Sequence, residues 1–161
     1  MIRAIAAIDD KRGIAAAGNP PWNIPWNIPT DARHFRELTE GGVVLMGKDT
    51  YALFDAPLPN RRNVVASQKL TAVRPGFELV NDVAEFLQTS SDDIWIIGGA
   101  SLYQSTLDAC EELYITHIDG DFNCDRFLPD FYSKFILSKE SPRQSDNGHT
   151  FRFATYINKN R

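Results

Sequence analysis

Cysteine is scarce in this chain: only Cys110 and Cys124 occur among its 161 residues, too few for a disulfide framework. Neither has metal-ligand spacing or a histidine pattern nearby, so reduced structural thiols are expected rather than a disulfide or a metal site. His34, His117 and His149 form no ligand pattern either, and are expected to be exposed or structurally satisfied. An excess of basic residues is also missing. A net charge of -4 and an isoelectric point near 5.3 argue against a general nucleic-acid binder, which needs a basic face or stripe. Any anionic ligand must then be held by a few placed cations. No apolar run approaches the roughly 20 residues that span a bilayer. The opening Met-Ile-Arg-Ala-Ile lacks the long apolar region of a signal peptide, so the cytoplasm is the expected location, with no membrane partner. Low-complexity tracts and long linkers are absent, and 43% of the residues are hydrophobic, enough for one domain spanning residues 1–161.

What is present alternates between strand and helix signals. Ile2 to Ile8 is an apolar run without alternation, as a strand buried on both faces gives. Asp9 to Ile28 carries Gly13, Gly18, Pro20, Pro21 and Pro25 and reads as one long loop, a class that is usually functional. Pro29 to Glu40 follows as a helix with Asp31, Phe35 and Leu38 on one face, closed by Gly41-Gly42. Val43 to Met46, Asn63 to Ala66, Glu78 to Val80, Ile94 to Ile97 and Glu112 to Ile118 are further strands. Between them lie a short helix from Lys48, one capped by Asn81-Asp82, and one opened by Gly98-Gly99 and running to about Leu107. Phe135 to Ser138 and Thr150 to Ile157 are expected to pair as an antiparallel hairpin, with Phe151, Phe153, Thr155 and Ile157 on one side. Interleaved strands and helices make an α/β sheet, mostly parallel, with an antiparallel end.

Residues 21–29 double a four-residue unit, Pro-Trp-Asn-Ile-Pro-Trp-Asn-Ile-Pro, and Asp31 follows in the first turn of the helix. A carboxylate there, with Trp, Ile and Phe around it, suits a flat polar heterocycle. Met46-Gly47-Lys48-Asp49-Thr50 and Ile97-Gly98-Gly99-Ala100-Ser101 are strand-to-helix junctions where glycine allows close approach to phosphate. Together they fit a dinucleotide's pyrophosphate, although neither is the Gly-x-Gly-x-x-Gly fingerprint. Leu58-Pro59-Asn60-Arg61-Arg62-Asn63 sets two arginines before a strand, where a guanidinium can grip a carboxylate. Each feature alone has a plain structural alternative: a helix-dipole carboxylate, core tryptophans, a packing turn, a solvated arginine pair.

In their order, these motifs resemble the dihydrofolate reductase family over essentially the whole chain. Ile5-Ala6-Ala7, the Pro-Trp-Asn-Ile-Pro-Thr-Asp unit, Phe35, both glycine junctions, Pro57 to Asn63 and Leu113 to Ile118 carry the resemblance. It implies a twisted, mostly parallel sheet of about eight strands with four helices, and reduction of 7,8-dihydrofolate to tetrahydrofolate by NADPH. Asp31 would bond the pterin's ring nitrogen and 2-amino group, aided by Thr116 through water. Phe35 would pack on the pterin and benzoyl group, Phe54 and Leu58 would line the benzoyl pocket, and Arg61 would grip the glutamate carboxylate. Ile5, Ala6 and Ala7 would border pterin and nicotinamide, with Ile14 and Ala15 reaching over the latter. Gly47, Ile97, Gly98, Gly99, Ala100, Ser101, Leu102 and Tyr103 match the diphosphate and nicotinamide side of the cofactor site, Ile97 and Tyr103 also bordering substrate. Lys48, Asp49, Thr50, Ser67 and Gln68 match the adenosine and 2'-phosphate side, with Asp49 standing where a basic residue is frequent. Asp31 would be the only ionisable side chain near the ring, favouring protonation of pterin nitrogen 5 by water admitted through the loop.

The doubled unit departs from the family pattern. Counting back from Asp31 the family's loop tryptophan is Trp26; counting forward from Ala7 it is Trp22. Trp26 is the expected match, because a proline and a helix start fix its spacing to Asp31, whereas lengthening a long loop costs little closure entropy. A larger lid over the nicotinamide would follow. Two other readings remain at this point: a pterin or nucleotide binding protein without catalysis, and the related riboflavin-pathway reductase, against which the Trp-Asn-Ile-Pro-Thr-Asp unit and Arg61 count. Antifolate-type small molecules are expected ligands, and a monomer is the family expectation.

Overall fold

A computed structural model describes residues 1–161. The chain opens with β1 (Ile2–Ile8), β2 (Gly13–Ala15), α1 (Pro29–Thr39), β3 (Val43–Gly47), α2 (Lys48–Leu53), β4 (Arg62–Ala66) and β5 (Phe77–Val80). It continues with α3 (Val83–Thr89), β6 (Ile94–Ile96), α4 (Ala100–Thr106), a 3-10 turn (Leu107–Ala109), β7 (Glu112–Ile118), β8 (Arg126–Phe127), β9 (Phe135–Glu140), β10 (Gln144–Asp146) and β11 (His149–Asn158). The main sheet has nine strands in the order β10-β11-β7-β1-β6-β3-β4-β5, with β9 also on β11. From β7 to β5 every neighbouring pair is parallel, and β11 is antiparallel to β7, β9 and β10.

The apolar runs are buried on both sides because successive side chains point to opposite faces. Val43, Leu45, Val64, Ile94, Ile96, Leu113 and Ile115 enter the larger core with α4 and Leu87 of α3. Ile5, Val44, Met46, Val65 and Trp95 form the core of the other face, where Phe35 and Leu38 of α1 pack. β3 leads through α2 to β4 on one side, while its neighbour β6 leads through α4 to β7 on the other. Crossovers that diverge from adjacent parallel strands leave a crevice at the strands' carboxyl ends, where ligands bind in open α/β sheets.

Three expectations change. Asp9 to Ile28 is not wholly a loop: β2 lies inside it and forms a two-stranded ribbon with β8. Three residues carry no readable period, and the strand exists through a partner more than a hundred positions away. The sheet exceeds eight strands because β10 intervenes in sequence between β9 and β11, and both β9 and β10 pair with β11. In β11, Phe151 and Phe153 pack beside Ile28 and Ile118, but Ala154, Tyr156 and Asn158 are buried on the opposite face and Ile157 is exposed. Asp82 caps α3 as expected, accepting the Glu85 amide at 3.0 Å. Helix α1 has no side-chain cap of its own at Ile28. Asp146, at the end of β10, supplies it by accepting from the Thr30 amide at 2.8 Å and the Thr30 hydroxyl at 2.7 Å.

Candidate active site

Asp31 stands in the first turn of α1, and Thr116 lies on the face of β7 that α1 covers. The Thr116 hydroxyl donates directly to Asp31 Oδ1 at 2.6 Å, which places both groups at the same end of the cleft. Burial raises the carboxyl's pKa above its ordinary value, while the Thr116 hydrogen bond and the charge of His34 pull it back. Sequence reasoning set His34 aside. It sits three positions along α1, stacked on Phe153 with ring centroids 3.8 Å apart, and burial lowers its pKa.

Phe35 and Leu38 of α1, Phe54 at the end of α2, Leu58, Ile97 and Tyr114 all pack against the core containing Ile5, Met46 and Trp95. The structure thus gathers the expected substrate-side residues Ile5, Phe35, Phe54, Leu58 and Ile97 on one face of the sheet. Ala7 lies on that face too, beside Trp26. Ala6 does not: its side chain packs into the larger core, so only its backbone can border a ligand. Tyr103 is likewise buried there, and its hydroxyl donates to the Ile5 carbonyl at 2.6 Å. Leu102 is buried in that core, and Ile14, expected with Ala15 to reach over the nicotinamide, is partly buried and packs against its edge.

The two arginines separate cleanly. Arg62 forms a bidentate pair with Glu78 at 2.8 Å and a third bond to Asp92 at 2.7 Å. Arg61 makes no ion pair; it donates to the Pro59 carbonyl and to the Thr39 hydroxyl at the end of α1. Only Arg61 keeps its charge for a ligand, at the Thr39 end of α1, eight residues and about two helical turns from Asp31.

The glycine junctions meet. The Gly47 amide donates to the Gly98 carbonyl at 2.8 Å, joining the ends of β3 and β6. A Cβ on Gly47 would stand 3.8 Å from the Gly98 oxygen and the Gly99 nitrogen, inside the gap between the junctions. Gly98 has φ +109°, and a Cβ there would come within 3.1 Å of the Tyr103 ring. Thr50 lies 3.5 Å from where a Gly99 Cβ would be. Beyond this cradle the Lys48 ammonium makes no ion pair, and Asp49, Ser101 and Gln68 are exposed. The Ser67 hydroxyl already accepts the Lys69 and Leu70 amides, leaving only its proton for a ligand. Ala100 opens α4 with Gly99 as its cap residue.

The loop over the cleft is tied down by contacts the sequence did not announce. Asp9, 4% exposed, accepts the Lys11 and Gly13 amides on one oxygen and the Phe122 amide on the other. Asp125 joins Ala15 and Ala17 through its backbone and side chain. Trp26 stacks edge-on against Phe122 at 5.2 Å in the cluster holding Ala7 and Ile28, whereas Trp22 packs on Phe54 at 4.9 Å. Aspartates with no local motif give no signal of such roles; their partners lie across the fold.

A family model for dihydrofolate reductase matches residues 1–159. The dihydrofolate reductase of Bacillus subtilis (strain 168) is 30% identical over 165 aligned residues, which cover 99% of this chain and 96% of that protein. Dihydrofolate reductase type 3 of Salmonella typhimurium is 36% identical over 160 residues, 96% of each. A bifunctional dihydrofolate reductase-thymidylate synthase of Paramecium tetraurelia is 33% identical over 154 residues, 92% of this chain, which spans only 32% of that protein. Among solved structures, the dihydrofolate reductase from Enterococcus faecalis complexed with NADP(H) and RAB-propyl superposes with a TM-score of 0.88 at 26% identity, covering 99% of this chain and 96% of that one. With the paired Asp31 and Thr116, the joined glycine junctions and these matches, the chain belongs to the dihydrofolate reductase family.

Proposed function

We infer that this protein reduces 7,8-dihydrofolate to 5,6,7,8-tetrahydrofolate with NADPH. The observation that carries the reading is the half-buried Asp31, bonded to the buried Thr116, at one end of an apolar cleft whose other end holds an unpaired Arg61. Such a cleft fits a molecule with a polar ring, an apolar middle and a terminal carboxylate. The residues present fit the cofactor: Gly98, at φ +109° and close against the Tyr103 ring, leaves the junction's backbone bare for a phosphate, and Lys48 is free to meet one. When bound, NADPH supplies the hydride that reduces the pterin at carbon 6.

The chain's own residues align and polarise. Asp31 accepts from the pterin's ring nitrogen and 2-amino group, and Thr116 holds the carboxylate in place for that contact. The carboxylate's negative charge favours protonation at nitrogen 5, with the proton arriving from water rather than from Asp31. Phe35, Phe54, Leu58 and Ile97 exclude water from the ring and the benzoyl group, Ile5 and Ala7 border the pterin, and Arg61 grips the glutamate carboxylate. Trp26 holds the lid against Phe122 beside the pterin end. Gly98, Gly99, Ala100, Ser101 and Thr50 receive the diphosphate, with Tyr103 backing Gly98, and Lys48, Ser67 and Gln68 receive the 2'-phosphate side. The chain acts as a single domain, a cytoplasmic monomer that also takes antifolates of the same shape; gel filtration and cell fractionation check those two points. No helix is long and apolar enough to cross a membrane. The direct test is NADPH oxidation with dihydrofolate. Turnover establishes the reading; tight antifolate binding without turnover would replace it with a non-catalytic pterin binder.

A further inference from the structure

The doubled Pro-Trp-Asn-Ile unit sends its two tryptophans to opposite sides of the cleft. Trp26 joins the cluster at the Asp31 end, against Phe122, with the rings 5.2 Å apart and nearly perpendicular. Trp22 instead meets Phe54 on the far wall, centroid to centroid 4.9 Å and tilted 59°. That contact is held from the loop side. The Ala16 amide donates to the Asn23 carbonyl at 2.7 Å, and the Asn19 side chain donates to the Ala16 carbonyl at 2.9 Å. Ala16 is buried at 7%, so residues 16–23 form a closed turn rooted in the protein. Asn23, with φ +57°, reverses the chain directly after Trp22, and Pro20 and Pro21 restrict the backbone before it.

Core packing does not account for Trp22. The indole is 41% exposed, and its one ring partner is a wall of the cleft. Phe54 itself rests on the core that also carries Phe35 and Leu58, the residues assigned above to the benzoyl group. We propose that Trp22 is a specificity-determining residue: the first copy of the unit adds an aromatic wall to the benzoyl subsite, selecting substrates that carry a benzoylglutamate tail over bare pterins. The proposal rests on the dihydrofolate reading of the cleft. A benzoyl ring lying on Phe54 presents its edge to an indole already tilted toward that site. Aromatic rings meeting edge-on or tilted add attraction beyond area burial, and an indole supplies it with few rotors to freeze. The pterin, held at Asp31, lies at the other end and is served by Trp26.

The experiment compares wild type, Trp22→Ala and Trp22→Phe on dihydrofolate and on 6-methyl-7,8-dihydropterin, which lacks the benzoylglutamate, at saturating NADPH. For Trp22→Ala, KM for dihydrofolate should rise about three- to tenfold while kcat changes by less than about twofold, and KM for the dihydropterin should stay unchanged. Trp22→Phe should recover most of the loss. Equal losses with both substrates would overturn the proposal in favour of a role in lid closure, and so would no loss with either. A wild type that reduces neither substrate overturns the dihydrofolate reading and this proposal with it; a wild type active on dihydrofolate isolates the question to Trp22.

Discussion

At the scale of single residues, Asp31 is a group the fold tolerates for its function. Burial raises its pKa above the ordinary 3.8, so the folded chain holds that proton more tightly than the unfolded chain. The stability this provides is complete below 3.8 and is lost as pH rises through the raised native value. Asp31→Asn, which still accepts from Thr116, should therefore match wild type in acid and melt at a higher temperature at pH 7. The same variant should lose about a hundredfold or more in kcat/KM for dihydrofolate, as expected when a group that favours proton transfer is neutralised. Calorimetry against pH together with turnover checks both; a variant less stable at neutral pH would make the carboxylate structural. The arginines give a matched contrast. Arg61→Gln should raise KM for dihydrofolate about tenfold or more, because a charge-assisted bond to the glutamate is lost. Arg62→Gln should leave KM alone and cost at most about 1 kcal/mol, since its ion pairs with Glu78 and Asp92 are largely exposed. A KM effect at Arg62 instead of Arg61 would reverse the assignment.

At the scale of elements, what was legible in the sequence is what neighbouring residues decide. Apolar runs such as Val43 to Met46 announce buried strands, and Pro29 followed by Asp31, Phe35 and Leu38 announces α1, because period and helix-start chemistry are local. The candidate site divides the same way. Asp31 is readable from its place in a helix, whereas Thr116 becomes a partner only when β7 lies under α1, and it was reached through the family resemblance alone. The strands β2, β8 and β10 have two or three residues each and exist through ladders to distant segments. Asp9 is the clearest case of a role invisible in the sequence. It looked like the first residue of a loop, yet it is the peg that ties the start of the lid to Phe122. Asp9→Ala would leave the Gly13 and Phe122 amides without their acceptor, each lost bond to a buried donor costing about 1–3 kcal/mol. Urea denaturation should show a loss of about 2–4 kcal/mol in all. A loss near zero would mean that water serves those amides and that the ribbon, rather than Asp9, anchors the lid.

At the scale of the whole molecule, the net charge of -4 opposes the binding of two anionic ligands, so recognition has to be local. At physiological salt a charge is felt over only about 8 Å, which makes the unpaired Lys48 and Arg61 count for more than the overall balance. The cofactor cradle joins β3 and β6 in the middle of the sheet, so a ligand bound there stabilises the assembly rather than one edge. A ligand at a hundred times its dissociation constant adds about 2.7 kcal/mol to the folded state. For a chain of this size each kcal/mol is worth about 2–4 °C, so NADPH should raise Tm by about 5–10 °C. NADH at the same concentration lacks the 2'-phosphate that Lys48 would meet, and should give a smaller shift. Asp49 beside Lys48 works against the phosphate, which keeps the preference modest. Lys48→Gln should then narrow the gap between the two cofactors mainly by lowering the NADPH shift, and melting curves with each cofactor read it directly. Equal shifts for NADPH and NADH in the wild type would show that Lys48 does not read the phosphate, leaving the glycine cradle as the source of cofactor affinity.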